Sequence, residues 1–131
     1  MDQQPLLSII IPAYNEAANL EECIRVLQEE LSALGVDAEL LIVDDGSSDG
    51  SGDLAEHLAD HWRNLRVIHH PTNRGIGAAF VTAAAAAQGE WLILIPADLA
   101  LDPAELGRYL EAASQADVVV GLRSDRSDYT W

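Results

Sequence analysis

The sequence predicts an α/β domain whose sheet is mostly parallel and flanked by helices. Three observations carry that expectation. Leu6 to Ile11, Leu40 to Val43 and Trp91 to Ile95 are short, nearly continuous apolar runs, the pattern of strands buried on both faces. Between them lie segments whose apolar residues recur at helical spacing, for example Leu20, Cys23, Ile24, Leu27, Leu31 and Leu34. Small polar clusters then punctuate the strand ends, most clearly Asp44-Asp45-Gly46-Ser47-Ser48-Asp49-Gly50. Strand, helix and strand in this order make right-handed βαβ units.

The first strand is expected over Leu6 to Ile11, stopped by Pro12, which has no N–H for a ladder. Asn15 is expected to cap the helix that follows, and Gly35 to end it. A second strand covers Glu39 to Val43, and a second helix Asp53 to Trp62 with Leu54, Leu58 and Trp62 or Ala55 inward. A third strand, Leu65 to His69, leads through a loop into a helix from about Gly75 to Gln88. Its alanines, Ala83 to Ala87, predict tight packing. The fourth buried strand is Trp91 to Ile95. Asp102-Pro103-Ala104-Glu105 then has a cap, a first-turn proline and a capping-box glutamate, opening a helix to about Ser114. A fifth strand is expected over Asp117 to Leu122, before a tail with Arg123, Asp125, Arg126 and Asp128.

A chain of 131 residues with 49% hydrophobic content suits one domain with a real core. Its formal net charge of -15 argues against a nucleic-acid or anionic membrane surface as partner, and makes a divalent cation a plausible companion of an anionic substrate. No apolar run reaches the roughly 18 residues of a membrane span. Met1-Asp2-Gln3-Gln4-Pro5 lacks the basic start of a signal peptide. The lone Cys23 excludes an internal disulfide and falls at a core position. These features point to the cytoplasm.

In open α/β sheets ligands bind beyond the carboxyl ends of the strands, which is where Asp44 and Asp45 stand. Successive strand residues face opposite ways, so one aspartate is expected at the crevice while the other props the Gly46-Ser47-Ser48 turn or caps the next helix. By the same alternation His69 and His70 cannot chelate one ion, and a structural or solvated role is expected of both. Gly75 and Gly77 allow backbone N–H groups to approach a phosphate at a helix N-terminus, with Arg74 adding a cation. A dinucleotide fingerprint is excluded: it would follow the first strand and carry a third glycine, where Phe80 stands.

Taken together, Ile11-Pro12-Ala13-Tyr14-Asn15-Glu16, Val43-Asp44-Asp45-Gly46-Ser47-Ser48-Asp49, Asn73-Arg74-Gly75-Ile76-Gly77-Ala78-Ala79 and Ala97-Asp98-Leu99 resemble glycosyltransferase family 2. The nearest likeness is to its dolichol-phosphate mannosyltransferase and polyprenyl-phosphate sugar transferase branch, in order and spacing over nearly the whole chain. The resemblance implies a Rossmann-like GT-A fold that binds a UDP- or GDP-linked sugar and transfers the sugar, with inversion, to an acceptor such as a polyprenyl or dolichyl phosphate. It places Pro12, Tyr14 and Glu16 around base and ribose, Asp45 at an N–H of the base, and Arg74 and Arg123 at the diphosphate, with Asp44 and Gly75 among the substrate-binding residues. Asp98 becomes the metal-binding and catalytic carboxylate.

Two departures qualify what is carried over. Where the family writes Asp-Ala-Asp, then Leu or Gly, then Gln, Pro96 and Ala100 replace the first Asp and the Gln. Neither side chain offers an oxygen to Mg²⁺ or Mn²⁺, so weak metal dependence is expected. The rival expectation is a non-catalytic nucleotide-binding or regulatory module that kept the pocket and lost the metal site. Family members also continue further, with acceptor-binding segments and often membrane helices. This chain is therefore expected to be the donor-binding part of a longer protein at the cytoplasmic face of a membrane, binding donor without completing transfer.

Overall fold

The computed structural model describes residues 4–122. Four parallel strands form one sheet: β1 (Leu7–Ala13), β2 (Ala38–Asp45), β3 (Leu65–His70) and β4 (Trp91–Leu94), in the order β3-β2-β1-β4. Between them run α1 (Ala17–Leu34), α2 (Ser51–His61) and α3 (Ile76–Ala86). A 3₁₀ turn (Pro103–Glu105) opens α4 (Leu106–Ala113).

The alternation of side chains along the central strands feeds two cores. Leu7, Ile9, Ile11, Ala38, Leu40 and Ile42 join Leu20, Ile24, Leu27, Ala55 and Leu58 of α1 and α2 on one face. Ile10, Leu41 and Val43 meet Ala79 and Ala83 of α3 on the other. Both central strands are thus covered on both faces, which is why their runs are uninterrupted. The small alanines let α3 lie close to the sheet, but only on one side. Ile76 and Val81, away from that side, are exposed (61% and 68%).

Several boundaries move for identifiable reasons. β1 continues through Pro12, which sits opposite Val43. Ile10 accepts a hydrogen bond from the Ile95 N–H on the β4 side. Pro12, two residues on, points the same way, past the end of β4, so its missing N–H takes nothing from the ladder. β4 is half-buried rather than buried, with Leu92 at 41% exposure, because it is the sheet edge among the described residues. The expected strand over residues 117–122 does not form: Val118 and Val120 are exposed, and the segment lies across a groove from the open edge of β4 without pairing with it. Leu34 is also largely exposed, leaving Leu20, Cys23, Ile24, Leu27 and Leu31 as the buried stripe of α1. Gly35 ends that helix in the left-handed conformation, as predicted.

At the amino-terminal edge of the sheet the buried Glu39 gathers Ser8 Oγ, Arg66 Nη2 and the Gln88 N–H, while the Gly89 N–H donates to Ser8 Oγ. Burial pushes the Glu39 carboxyl up, but these donors outweigh it and hold the group below the usual range. This network fixes the turn into β4 at the end of the sheet remote from the candidate site.

Candidate functional site

The site forms where β1 and β2 end side by side, Ala13 opposite Asp44. The two loops leaving these strands are stitched to each other. Ser47 Oγ accepts from the Asn15 N–H, Asn15 Oδ1 from the Ser48 N–H, Ser51 Oγ from the Glu16 N–H, and Asp49 Oδ2 from the Ala17 N–H. Asn15 is thus not the cap of α1. Its backbone is left-handed (φ 54°), its side chain serves the neighbouring loop, and the first N–H groups of α1 are capped by Asp49 and Ser51 instead. This lacing holds Tyr14 and Glu16 at the mouth of the crevice.

Asp44 and Asp45 separate as strand alternation requires. Asp44 turns toward α2 and accepts from the Ser47 N–H at 3.1 Å and from His69 Nδ1 at 2.8 Å. Burial raises its carboxyl, and Ser47 and His69 more than offset this, keeping it below the ordinary value. Asp45 turns toward α3 and is 4% exposed. Its Oδ1 accepts from His70 Nδ1 at 2.7 Å and the Arg74 N–H at 3.0 Å, and its Oδ2 from the Gly75 N–H at 2.9 Å. Burial again acts upward and these three donors win, so Asp45 stays ionised below the usual carboxylate range.

The adjacent histidines face opposite sides of the sheet. The β2–β3 register sets His69 beside Asp44 and His70 beside Asp45. His69 spans Asp44 and Glu56, and hydrogen bonds to both raise its pKa. His70 is buried, with Nε2 at 2.8 Å from Thr82 Oγ1 of α3. The turn after β2 is pressed against the loop after β3. At Gly46 (φ 75°) a Cβ would lie 2.5 Å from the Thr72 carbonyl carbon, so only glycine fits.

A cavity of about 240 Å³ opens at this edge. Pro12, Tyr14, Glu16, Asp45, Gly75 and Asp98 all line it. Six of the residues marked in the sequence therefore converge. Asp44 does not line it and props the turn. Arg74 is exposed on the adjoining loop, its side chain outside the lining, and Arg123 lies outside the described residues. The Gly75 N–H, expected to face a phosphate, is engaged by Asp45. Among the described residues no side chain caps α3, whose first turn carries Gly77.

Opposite Asp45, β4 gives way to a tight turn. The Leu99 N–H donates to the Pro96 carbonyl, Asp98 Oδ1 accepts from the Ala100 N–H at 3.1 Å, and Leu99 is left-handed (φ 57°). A leucine in that conformation carries strain of about 1–2 kcal/mol. Its side chain is anchored against the main core, which holds the turn so that Asp98 projects at the rim. Pro96 and Ala97 complete that wall. Among the described residues no three His, Cys, Asp or Glu side chains come together to hold a metal ion. On the wall formed by Pro96, Ala97 and Asp98, only Asp98 has a side-chain oxygen, and this wall does not amount to a metal site by itself.

Nothing in the local sequence marks His70, Thr82 or Ser51 as part of this edge, and Asp49 is visible only as the end of a motif. The one signal that bears on the histidines is that Asp-Asp and His-His end consecutive strands, which in a parallel pair sets them side by side.

The sequence profile described as glycosyl transferase family 2 matches residues 8–131. The chain is 36% identical over 129 residues to an undecaprenyl-phosphate 4-deoxy-4-formamido-L-arabinose transferase of Pseudomonas paraeruginosa, covering 96% of this chain and 38% of that protein. Its fold is similar to the mannosyltransferase PcManGT of Pyrobaculum calidifontis, solved with GDP-Man and Mn²⁺, with a TM-score of 0.65 and 28% identity over 73% of this chain and 28% of that one. TarS 1–349 of S. aureus in complex with UDP-GlcNAc aligns with a TM-score of 0.60 and 26% identity, over 71% of this chain and 26% of that one. The chain thus spans less than two fifths of the length of these proteins.

Proposed function

We propose, for a chain that belongs to glycosyl transferase family 2, that the cavity at the carboxyl ends of β1 and β2 receives the nucleoside of a nucleoside-diphosphate sugar. The observation that carries this is the convergence of Pro12, Tyr14, Glu16, Asp45 and Asp98, from three separate stretches of chain, on one cavity. At about 240 Å³ the cavity lies below the roughly 300–1,000 Å³ that enclose whole ligands. It suits a base and ribose with the diphosphate extending past the rim. Tyr14, half exposed, offers an aromatic face, and Glu16 an acceptor for ribose hydroxyls. Asp45 accepts an N–H of the base.

The diphosphate then leads toward Asp98 and the loop that carries Arg74. In the reaction an acceptor oxygen attacks the anomeric carbon from the face opposite the diphosphate. The bond from that carbon to the diphosphate oxygen breaks, and the electron pair leaves with the diphosphate. Arg74 and, in the residues beyond the described range, Arg123 are the cations assigned to the charge that develops there. The acceptor class is a polyprenyl phosphate, on the strength of the undecaprenyl-phosphate transferase relative. Mg²⁺ or Mn²⁺ would have to take most of its oxygens from the diphosphate, and no step is assigned to it.

Calorimetric titration with UDP-, GDP- and dTDP-sugars, in EDTA and in millimolar Mn²⁺, tests this. One-to-one binding that Asp45→Ala weakens is the expected result, with a Mn²⁺ gain under about 100-fold, or about 2.7 kcal/mol. Absence of binding to the whole panel would refute the pocket. A larger Mn²⁺ gain would refute the weak metal dependence.

A further inference from the structure

We propose that His70 is a positioning residue for nucleotide recognition: it locks the Asp45 carboxylate so that a single acceptor position is left facing the cavity. This rests on the reading of Asp45 as a base acceptor. Neither the sequence motifs nor the comparisons assign His70 any part in the site.

A carboxylate offers about four acceptor positions. On Oδ1, His70 Nδ1 and the Arg74 N–H occupy both. On Oδ2 the Gly75 N–H occupies one, and the other is open in a residue that lines the cavity. Because an ionised carboxylate only accepts, Nδ1 of His70 carries the hydrogen. Nε2 is tied to the Thr82 hydroxyl at 2.8 Å, which sets the ring plane from α3. The two side chains are 4% and 5% exposed, so water cannot replace a lost partner without opening the core.

The consequence is selective. One fixed, charged acceptor favours a base that presents a ring N–H at its pairing edge, as uracil, thymine and guanine do. It disfavours cytosine, whose ring nitrogen at the same place is itself an acceptor. A carboxylate free to rotate would lose that discrimination, since either oxygen could retreat behind a water.

The test pairs two substitutions that split the ring's functions. Asparagine places its amide nitrogen near the position of Nδ1, and glutamine near that of Nε2. Affinity for UDP, GDP and CDP is measured on the 131-residue chain for His70→Asn, His70→Gln and Asp45→Ala, with melting temperatures alongside. His70→Asn is expected to stay within about threefold of the native chain for UDP or GDP. His70→Gln is expected to lose about tenfold or more while melting no lower than His70→Asn. Equal losses in the two variants, tracking their melting temperatures, would reduce His70 to a structural role and overturn the inference. A loss in Asp45→Ala with none in His70→Gln overturns it while leaving the pocket in place. No loss in Asp45→Ala removes the reading of the pocket, and the inference with it. Should both variants fail to fold, the ¹⁵N shifts of the native imidazole still decide, because an Nδ1 without hydrogen at pH 7 overturns the inference.

Discussion

Replacing Asp45 by asparagine keeps the shape of the side chain and removes its charge, so the effect can be worked out bond by bond. With the amide oxygen at the Oδ1 position, the bonds from His70 and Arg74 survive, but each falls from a charge-assisted to a neutral hydrogen bond. That costs about 0.5–1 kcal/mol apiece. The amide NH₂ then faces the Gly75 N–H, a donor against a donor, for about 1–3 kcal/mol more. Turning the amide over is worse, because it sets the NH₂ against two donors. The whole change is therefore about 3 kcal/mol. At about 2.1 cal/mol/K per residue for unfolding, the melting temperature of a chain this long falls by about 10 °C. The pH dependence has a definite sign. The Asp45 carboxyl is held below the ordinary aspartate range by these donors, so the carboxylate stabilises the fold above that range and ceases to as pH falls through the folded value. Thermal unfolding followed by circular dichroism from pH 3 to pH 7 is the assay. The gap between native and Asp45→Asn chains should be full at neutrality and close in acid. A variant melting within about 2 °C of the native chain at pH 7 would refute the triple-donor account.

Gly46→Ala would put a Cβ 2.5 Å from the Thr72 carbonyl carbon at a left-handed residue, and should cost about 2–4 kcal/mol in urea denaturation, because backbone rather than a side chain must move. His69, raised above 6.5 by Asp44 and Glu56, stabilises the fold fully below pH 6.5 and loses that contribution as pH rises through its folded value. Its side chain is 43% exposed, so the effect should be about 0.5 kcal/mol or less, read as a small fall in melting temperature between pH 6 and pH 8 that His69→Gln abolishes. The Cys23 thiol, pushed up to about 12 chiefly by burial and further by Asp98 and Glu16, should resist thiol reagents at pH 8 in the native chain and react on unfolding. Rapid native labelling would contradict that placement.

What could be read from the sequence was what local pattern governs. β1 and β2 are central strands whose apolar runs record burial on both faces, and the stripe from Leu20 to Leu31 records the one face of α1 that meets the sheet. The parting of Asp44 from Asp45 follows from strand alternation alone. What could not be read depends on residues far apart in the chain. The cap of α1 comes from Asp49 and Ser51, more than thirty positions after the residues they serve. The partners of the two aspartates depend on the β2–β3 register, which no local window contains. The valines at 118–120 have strand composition, yet composition does not bring a segment into register with the open edge of β4, and here it stays unpaired. Asp98 was visible as a motif, while the left-handed Leu99 that presents it was not.

The most direct measurement is an amide ¹H–¹⁵N titration of the chain with UDP and with GDP. The account predicts shifts at Tyr14 to Ala17, Asp45 to Ser48, Arg74 to Ile76 and Ala97 to Leu99, the residues around one cavity. Resonances of the cleft between α1 and Trp62, and of the apolar groove beside Trp91 and Tyr109, should stay in place. Shifts confined to either of those two regions, with the Asp45 edge unmoved, would contradict the account.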